Sequence, residues 1–116
     1  MISKELLSEI LDESYDNTNI VKIYQPSDFN HIAWETNNCA INTHSINIYE
    51  LAHKCKEWCL NNNFTIKSSI TRQGAKCEFY SKEQTNYKTK IINAKTEPEA
   101  IFQACEWILK QKENNE

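Results

Sequence analysis

The chain has 116 residues, a net charge of −3, 25% charged and 40% hydrophobic residues, one glycine and two prolines. These values fit one globular domain of ordinary composition, and no apolar run approaches the ~18 residues of a membrane span. A lone glycine cannot build the glycine-rich loops that cradle phosphates, which excludes P-loop and dinucleotide-binding readings. The charge is uneven: residues 1–47 hold two lysines against seven acids, residues 64–95 seven Lys/Arg against two acids, and residues 96–116 two lysines against five acids.

The opening MISKELLSEI has acids where a secretory leader needs a basic and then an apolar stretch, so the expected location is cytoplasmic. Ser3 caps a first helix, SKELLSEIL, with Ile2 and Leu7 as a staple and Leu6, Leu7, Ile10 and Leu11 as its apolar stripe. DESYDNTN breaks it. IVKIYQ (20–25) is β-branched and aromatic and reads as a strand. HIAWETN (31–37) is its hairpin partner across PSDFN. Residues 38–46 are polar, with room for a short strand around Cys39 to Ile41.

Asn47 and Glu50 form an N-x-x-E cap, and Ile46 and Leu51 a staple, for a second helix whose face is Ile48, Leu51, Ala52, Cys55, Trp58 and Cys59. The asparagines at 61–63 end it, because asparagine tolerates the left-handed conformation. Three strands follow: FTIKSSITR, AKCEFYSK and YKTKIINAK (87–95). Gln73-Gly74 forms the first hairpin turn, and period-two alternation leaves one face buried and the other wet. Thr96 and Glu99 then form a capping box with Pro98 in the first turn of a last helix, residues 97–112. Its apolar stripe, Ile101, Ala104, Cys105 and Ile108 widened by Phe102, Trp107 and Leu109, is broad enough to reach a second surface and leaves room for a homodimer. YELAHKCKEWCLN and PEAIFQACEWILK align without gaps at an offset of 49 residues. That echo reflects a duplication or two helices facing one sheet.

The expected fold class is therefore α+β in a single domain, 1–116. An acidic helix–hairpin segment (1–46) precedes an αβββα unit (47–112), with two helices on one face of an antiparallel sheet and a disordered tail at 113–116. Five cysteines without a secretory context argue against a disulfide framework. Cys55-x3-Cys59 has no second pair to complete a zinc site, so the cysteines read as buried apolar residues and neither metal nor cofactor is expected. His53 and Cys55 are two apart and point to different faces, while His53 and Glu57 are an i, i+4 surface pair. His31 and His44 lie near the first hairpin with Asp28 and Glu35 in range but nothing to fix their geometry. No metalloprotease or acidic metal motif appears, so the chain is expected not to be an enzyme.

From Asn47 onward the order of elements is similar to the double-stranded RNA-binding domain. In that family lysines open the last helix and bridge phosphates. This chain has Glu97 and Glu99 there, which repel a phosphate backbone, and the family's glycine-, proline- and histidine-rich loop is missing. Double-stranded RNA is therefore excluded. Thr96, Pro98, Ala100, Ile101 and Ala104 match a T-x-P-x-A-I-x-x-A pattern and, with INIYELAHKCKEW before them, resemble the phage ABA sandwich family over residues 46–112. That resemblance implies a phage or prophage origin and no chemistry of its own.

The expected function is that of a small phage or mobile-element protein that docks on a host bacterial protein, as an inhibitor of a defence or regulatory complex. Its candidate contacts are acids that can imitate nucleic acid (Glu5, Glu9, Asp12, Glu13, Asp16) and the aromatics Tyr15, Tyr24, Phe29 and Trp34, taken as exposed. Two alternatives stand beside it. Lys67, Lys76, Lys82, Lys88 and Lys90 with Tyr80 and Tyr87 combine cations and stacking rings on the wet sheet face, as single-stranded nucleic-acid binders do. A small-ligand or nucleotide-sequestering pocket at a dimer seam is the other.

Overall fold

The computed structural model describes residues 2–11, 20–27, 30–37, 39–82 and 89–114. The fold is α+β: among these residues there are three helices and two three-stranded antiparallel sheets, each a meander with the strands in sequence order. Two compact units divide the chain, Ile2–Lys54 and Cys55–Glu116. The division falls inside the second helix, not before it, so that helix contributes to both.

In the first unit, α1 (Lys4–Ile10) starts at Ser3, whose hydroxyl accepts from the Leu6 N–H at 3.1 Å. Ile2, Leu6, Leu7 and Leu11 are all buried, as the staple and stripe require. The hairpin forms as expected from β1 (Ile20–Tyr24) and β2 (His31–Asn37), with a bulge between Ile20 and Lys22. The third strand is longer and later than its sequence suggests: β3 runs Ile41–Asn47, and Cys39 (φ 68°) is in the turn before it. β3 is an edge strand, and most of its side chains are exposed. It therefore carries the polar residues INTHSIN without the hydrophobic run that marks a buried strand.

The helix α2 (Ile48–Asn61) begins at its expected cap: Asn47 Oδ1 accepts from the Tyr49 N–H at 2.9 Å and the Glu50 N–H at 3.3 Å. It ends at Asn63, which holds φ 65°, while the Asn62 side-chain amide donates to the Trp58 carbonyl at 2.8 Å.

The second unit continues with β4 (Phe64–Thr71), β5 (Gly74–Ser81), β6 (Lys90–Ala94) and α3 (Glu97–Asn114). The hairpin turn is Arg72-Gln73, one residue earlier than expected, because Gly74 already pairs with Thr71 as the first residue of β5. Its φ of +136° is one reason for glycine here; the other is that a Cβ would stand 2.4 Å from the Ala94 carbonyl oxygen on β6. The last helix opens at Thr96, whose hydroxyl accepts from the Glu99 N–H at 3.3 Å. It continues to Asn114, so two of the four residues expected in a tail are helical.

Directly opposed residues of antiparallel strands share a face. Ala75, Cys77 and Phe79 are buried on β5, and Ser68 and Ile66 on β4 and Ile92 and Ala94 on β6 are on the same side. Over that side lies α3, with Ala100, Ile101, Ala104, Cys105 and Ile108 buried. Trp107 closes its border, 5.4 Å from the Phe79 ring and 6.5 Å from that of Phe64. The second half of α2 meets the same helix through Cys59 and Cys105, whose sulfurs are 3.3 Å apart.

Candidate functional site

The outer face of the β4–β5–β6 sheet is the surface on which the sequence-derived basic residues can be tested for position. Register places Lys67 opposite Glu78, Lys76 opposite Ser69 and Asn93, Tyr80 opposite Thr65, and Glu78 opposite Ile91, all on this one face. Lys76 Nζ is 3.0 Å from a Glu78 carboxylate oxygen, and the two side chains keep 41% and 32% of their surface in solvent. Ile91, 57% exposed, puts an apolar side chain beside that pair. The face is thus mixed, with two lysines, one acid between them, a tyrosine and an isoleucine.

Lys90 does not join this set. It is opposite Phe79, on the helix-bearing side, with its ammonium 4.8 Å from the centre of the Trp107 ring. The pairing register decides this: Lys90 shares the side of Ile92 and Ala94, while Ile91 and Asn93 are on the outer face. Lys82 is exposed just past the end of β5. Tyr87 and Lys88 lie outside the described residues.

The acidic candidates separate in a similar way. Glu5 and Glu9 are exposed on α1, whereas Asp12, Glu13, Tyr15, Asp16 and Phe29 lie outside the described residues. Tyr24 is half-buried, with Lys22 Nζ 5.1 Å above its ring. Trp34 is not a surface aromatic: it is fully buried at the centre of β2. Its indole is on the packed side of the middle strand with Thr36, which is buried as well. It stacks on His44 of β3, ring centres 5.4 Å apart and planes 21° apart.

The histidines and cysteines can be judged for chemistry by the same geometry. His44 Nε2 is 3.1 Å from the Thr36 hydroxyl, a base and a nucleophile type within hydrogen-bond reach. Thr36 is wholly buried, however, so the hydroxyl has no face on which a substrate could approach. The pair is a packed polar contact inside the sheet. His53 and Glu57 are exposed on α2, while Cys55 is buried on its other side.

Cys55, Cys59, Cys77 and Cys105 are all buried within the second unit, and Cys39 is exposed. Burial first of all pushes the Cys77 thiol up to about 12, with smaller contributions from Cys59, Glu97 and Glu78 against a lowering by Lys56. Cys59 is raised further by its hydrogen bond to Cys105 and by desolvation, and Cys105 is raised by the Cys55 side chain and by desolvation, against a lowering by Cys59. All three stay protonated at neutral pH and are poor nucleophiles there. Among the described residues no group of three or more His, Cys, Asp or Glu is arranged to hold a metal ion.

Glu97, at the first turn of α3, is held in place by two groups. Its carboxylate accepts from the Ser68 hydroxyl at 2.9 Å and is 3.9 Å from Lys56 Nζ. Sequence reasoning placed this acid at the helix start but missed both partners. It also left Ile91 out of the sheet face, although strand register would have supplied it.

No family model, curated protein or solved structure matches this chain. Among the described residues no helix is long and apolar enough to cross a membrane.

Proposed function

We propose that this chain is a non-enzymatic docking module whose contact surface is the outer face of β4–β6, and that its partner is a protein. The observation that supports this reading best is the exposed Ile91 beside a closed Lys76–Glu78 pair. Protein interfaces join an apolar centre to a polar rim, and tyrosine is enriched among their strongest contacts. Tyr80 and Ile91 supply the centre here and Lys67, Lys76 and Glu78 the rim. The same pair weakens the single-stranded nucleic-acid reading, because Glu78 neutralises charge that a phosphate backbone would need. Glu97 and Glu99 at the start of α3 weigh against an RNA duplex for the same reason. The resemblance of residues 46–112 to phage sandwich domains makes a host bacterial protein the expected partner, with inhibition of its complex as the outcome.

Affinity capture from bacterial lysate tests this, with nuclease-treated and untreated samples beside an Ile91→Glu/Tyr80→Ala variant. The expected result is one protein retained through nuclease treatment and lost from the variant. Oligonucleotide binding that falls steeply with salt and disappears in Lys67→Gln would replace this reading with the nucleic-acid one.

A further inference from the structure

Four of the five cysteines converge in one unit, and two of them touch across helices. Cys59 belongs to α2 and Cys105 to α3, they are 46 positions apart in sequence, and their sulfurs are 3.3 Å apart with both side chains wholly buried. The Cys105 thiol also donates to the Cys55 carbonyl at 3.6 Å, which fixes its direction. A disulfide needs sulfurs at ~2.05 Å, so closing this pair asks for roughly 1.3 Å of combined movement. Cys77 lies on the sheet beneath, and Cys55, one turn earlier on α2, also acts on Cys105, but the 3.3 Å sulfur–sulfur contact is between Cys59 and Cys105.

We propose that Cys59 and Cys105 form a redox modification site: a small disulfide oxidant such as oxidised glutathione converts the pair into a cross-link that ties α2 to α3. The step balances without any further reagent. The Cys59 sulfur, as thiolate, attacks one sulfur of glutathione disulfide, breaking its S–S bond and expelling one glutathione thiolate. The Cys105 sulfur, as thiolate, attacks the Cys59 sulfur of that mixed disulfide, forming the protein S–S bond and expelling the second glutathione. The two cysteine protons end on the two glutathione thiols. The protein pair is oxidised and the glutathione disulfide reduced.

The packing also sets the rate. Both sulfurs are wholly buried and burial keeps them protonated in the closed state, so exchange waits for local opening. Cys59 is two residues from the end of α2 at Asn61, and fraying of that end exposes it before Cys105, which is in the middle of α3. Oxidation is therefore slow in the native protein and accelerated by conditions that loosen α2. Once formed, the bond closes a loop of ~45 residues and restricts the unfolded chain.

The full chain is incubated with oxidised glutathione, with and without a sub-denaturing concentration of urea, then alkylated, digested and mapped. The expected product is an intramolecular Cys59–Cys105 peptide cross-link, an intact mass lower by two hydrogens, and a melting temperature higher by about 5–15 °C that returns on reduction. Cys77→Ala and Cys39→Ser keep the cross-link, and Cys105→Ser abolishes it. Should Cys105→Ser fail to fold, mapping of the unaltered chain still decides the assignment. The proposal is overturned if Cys59 and Cys105 both remain alkylatable after prolonged oxidation, if the linked pair contains Cys39, Cys55 or Cys77, or if the cross-linked chain melts no higher than the reduced one.

Discussion

Trp34 and Cys77 hold equivalent places in two different sheets. Each is near the centre of a middle strand, fully buried, with one neighbour on either side: Ile23 and His44 for Trp34, Ser68 and Ile92 for Cys77. Each strand triplet leads into a capped helix, β3 through Asn47 into α2 and β6 through Thr96 into α3. The two caps are 49 residues apart, and at that same offset Leu51, Ala52, Cys55 and Cys59 of α2 fall on Ala100, Ile101, Ala104 and Ile108 of α3, every one of them buried. The strands differ in detail: Asn47 is both the last residue of β3 and the cap, whereas Lys95 stands between β6 and Thr96.

The βββα plan is thus repeated while its filling is not. In the first run an indole, an imidazole and a threonine hydroxyl fill the inside of the sheet; in the second Cys77 does between Ala75 and Phe79, with helical cysteines in the same unit. Element order, caps and stripe tolerate very different residues, provided that volume and polarity are satisfied locally.

Truncation at the two centres gives the largest contrast. Trp34→Ala removes a buried aromatic and is expected to cost about 3–5 kcal/mol, against about 1 kcal/mol for Cys77→Ala, which deletes one atom. Urea denaturation of the two variants measures this, and equal losses would break the idea that the two sheets are filled differently.

Alkaline pH separates the runs by another route. Cys77 rises from an ordinary 9.0 to about 12 on folding, so the folded state holds its proton more tightly than the unfolded one. That contribution is whole below pH 9 and is lost as the pH climbs toward 12, each unit of separation being worth about 1.4 kcal/mol. Stability measured across that window falls less steeply in Cys77→Ala than in the unaltered chain; parallel slopes would remove the thiol from the account.

Gly74→Ala sharpens the comparison at the hairpins. A Cβ 2.4 Å from the Ala94 oxygen, on a residue at φ +136°, has to displace β6. The expected loss is about 1–3 kcal/mol, read as a lower melting temperature together with faster amide exchange in Lys90–Ala94.

The smallest effect tests likeness. Asn47→Ala and Thr96→Ala each remove a side-chain oxygen that caps a helix, and each should cost about 1 kcal/mol. Costs that differ severalfold between the two would show that the caps are not equivalent parts of one repeated plan.

The parts of this architecture that were legible in sequence are those encoded within a few residues. Ser3, Asn47 and Thr96 mark helix starts because a side-chain oxygen next to a helical stripe satisfies exposed N–H groups locally. Alternation in FTIKSSIT and GAKCEFYS marks strands for an equally local reason. The third strand was hard to see because an edge strand with wet side chains needs no hydrophobic period. Of the candidate site, Lys67, Lys76 and Tyr80 share a face as alternation predicts. Lys90 leaves it because pairing with Phe79, not counting along its own strand, fixes its side. Trp34 reads as exposed from HIAWETN; packing against the face of β2 on which it stands makes it buried.

The sequence by itself determined the α+β class, the helix caps, the strand periodicity and the acidic opening of α3, since each depends on contacts between residues close along the chain. Tertiary structure alone decided that Trp34 is interior, that Lys90 turns toward Trp107, that Glu97 meets Lys56 and Ser68, and that Cys59 meets Cys105. Those are meetings between segments remote in sequence. No local period carries that information; it arises only when strands choose a register and helices bury their stripes together.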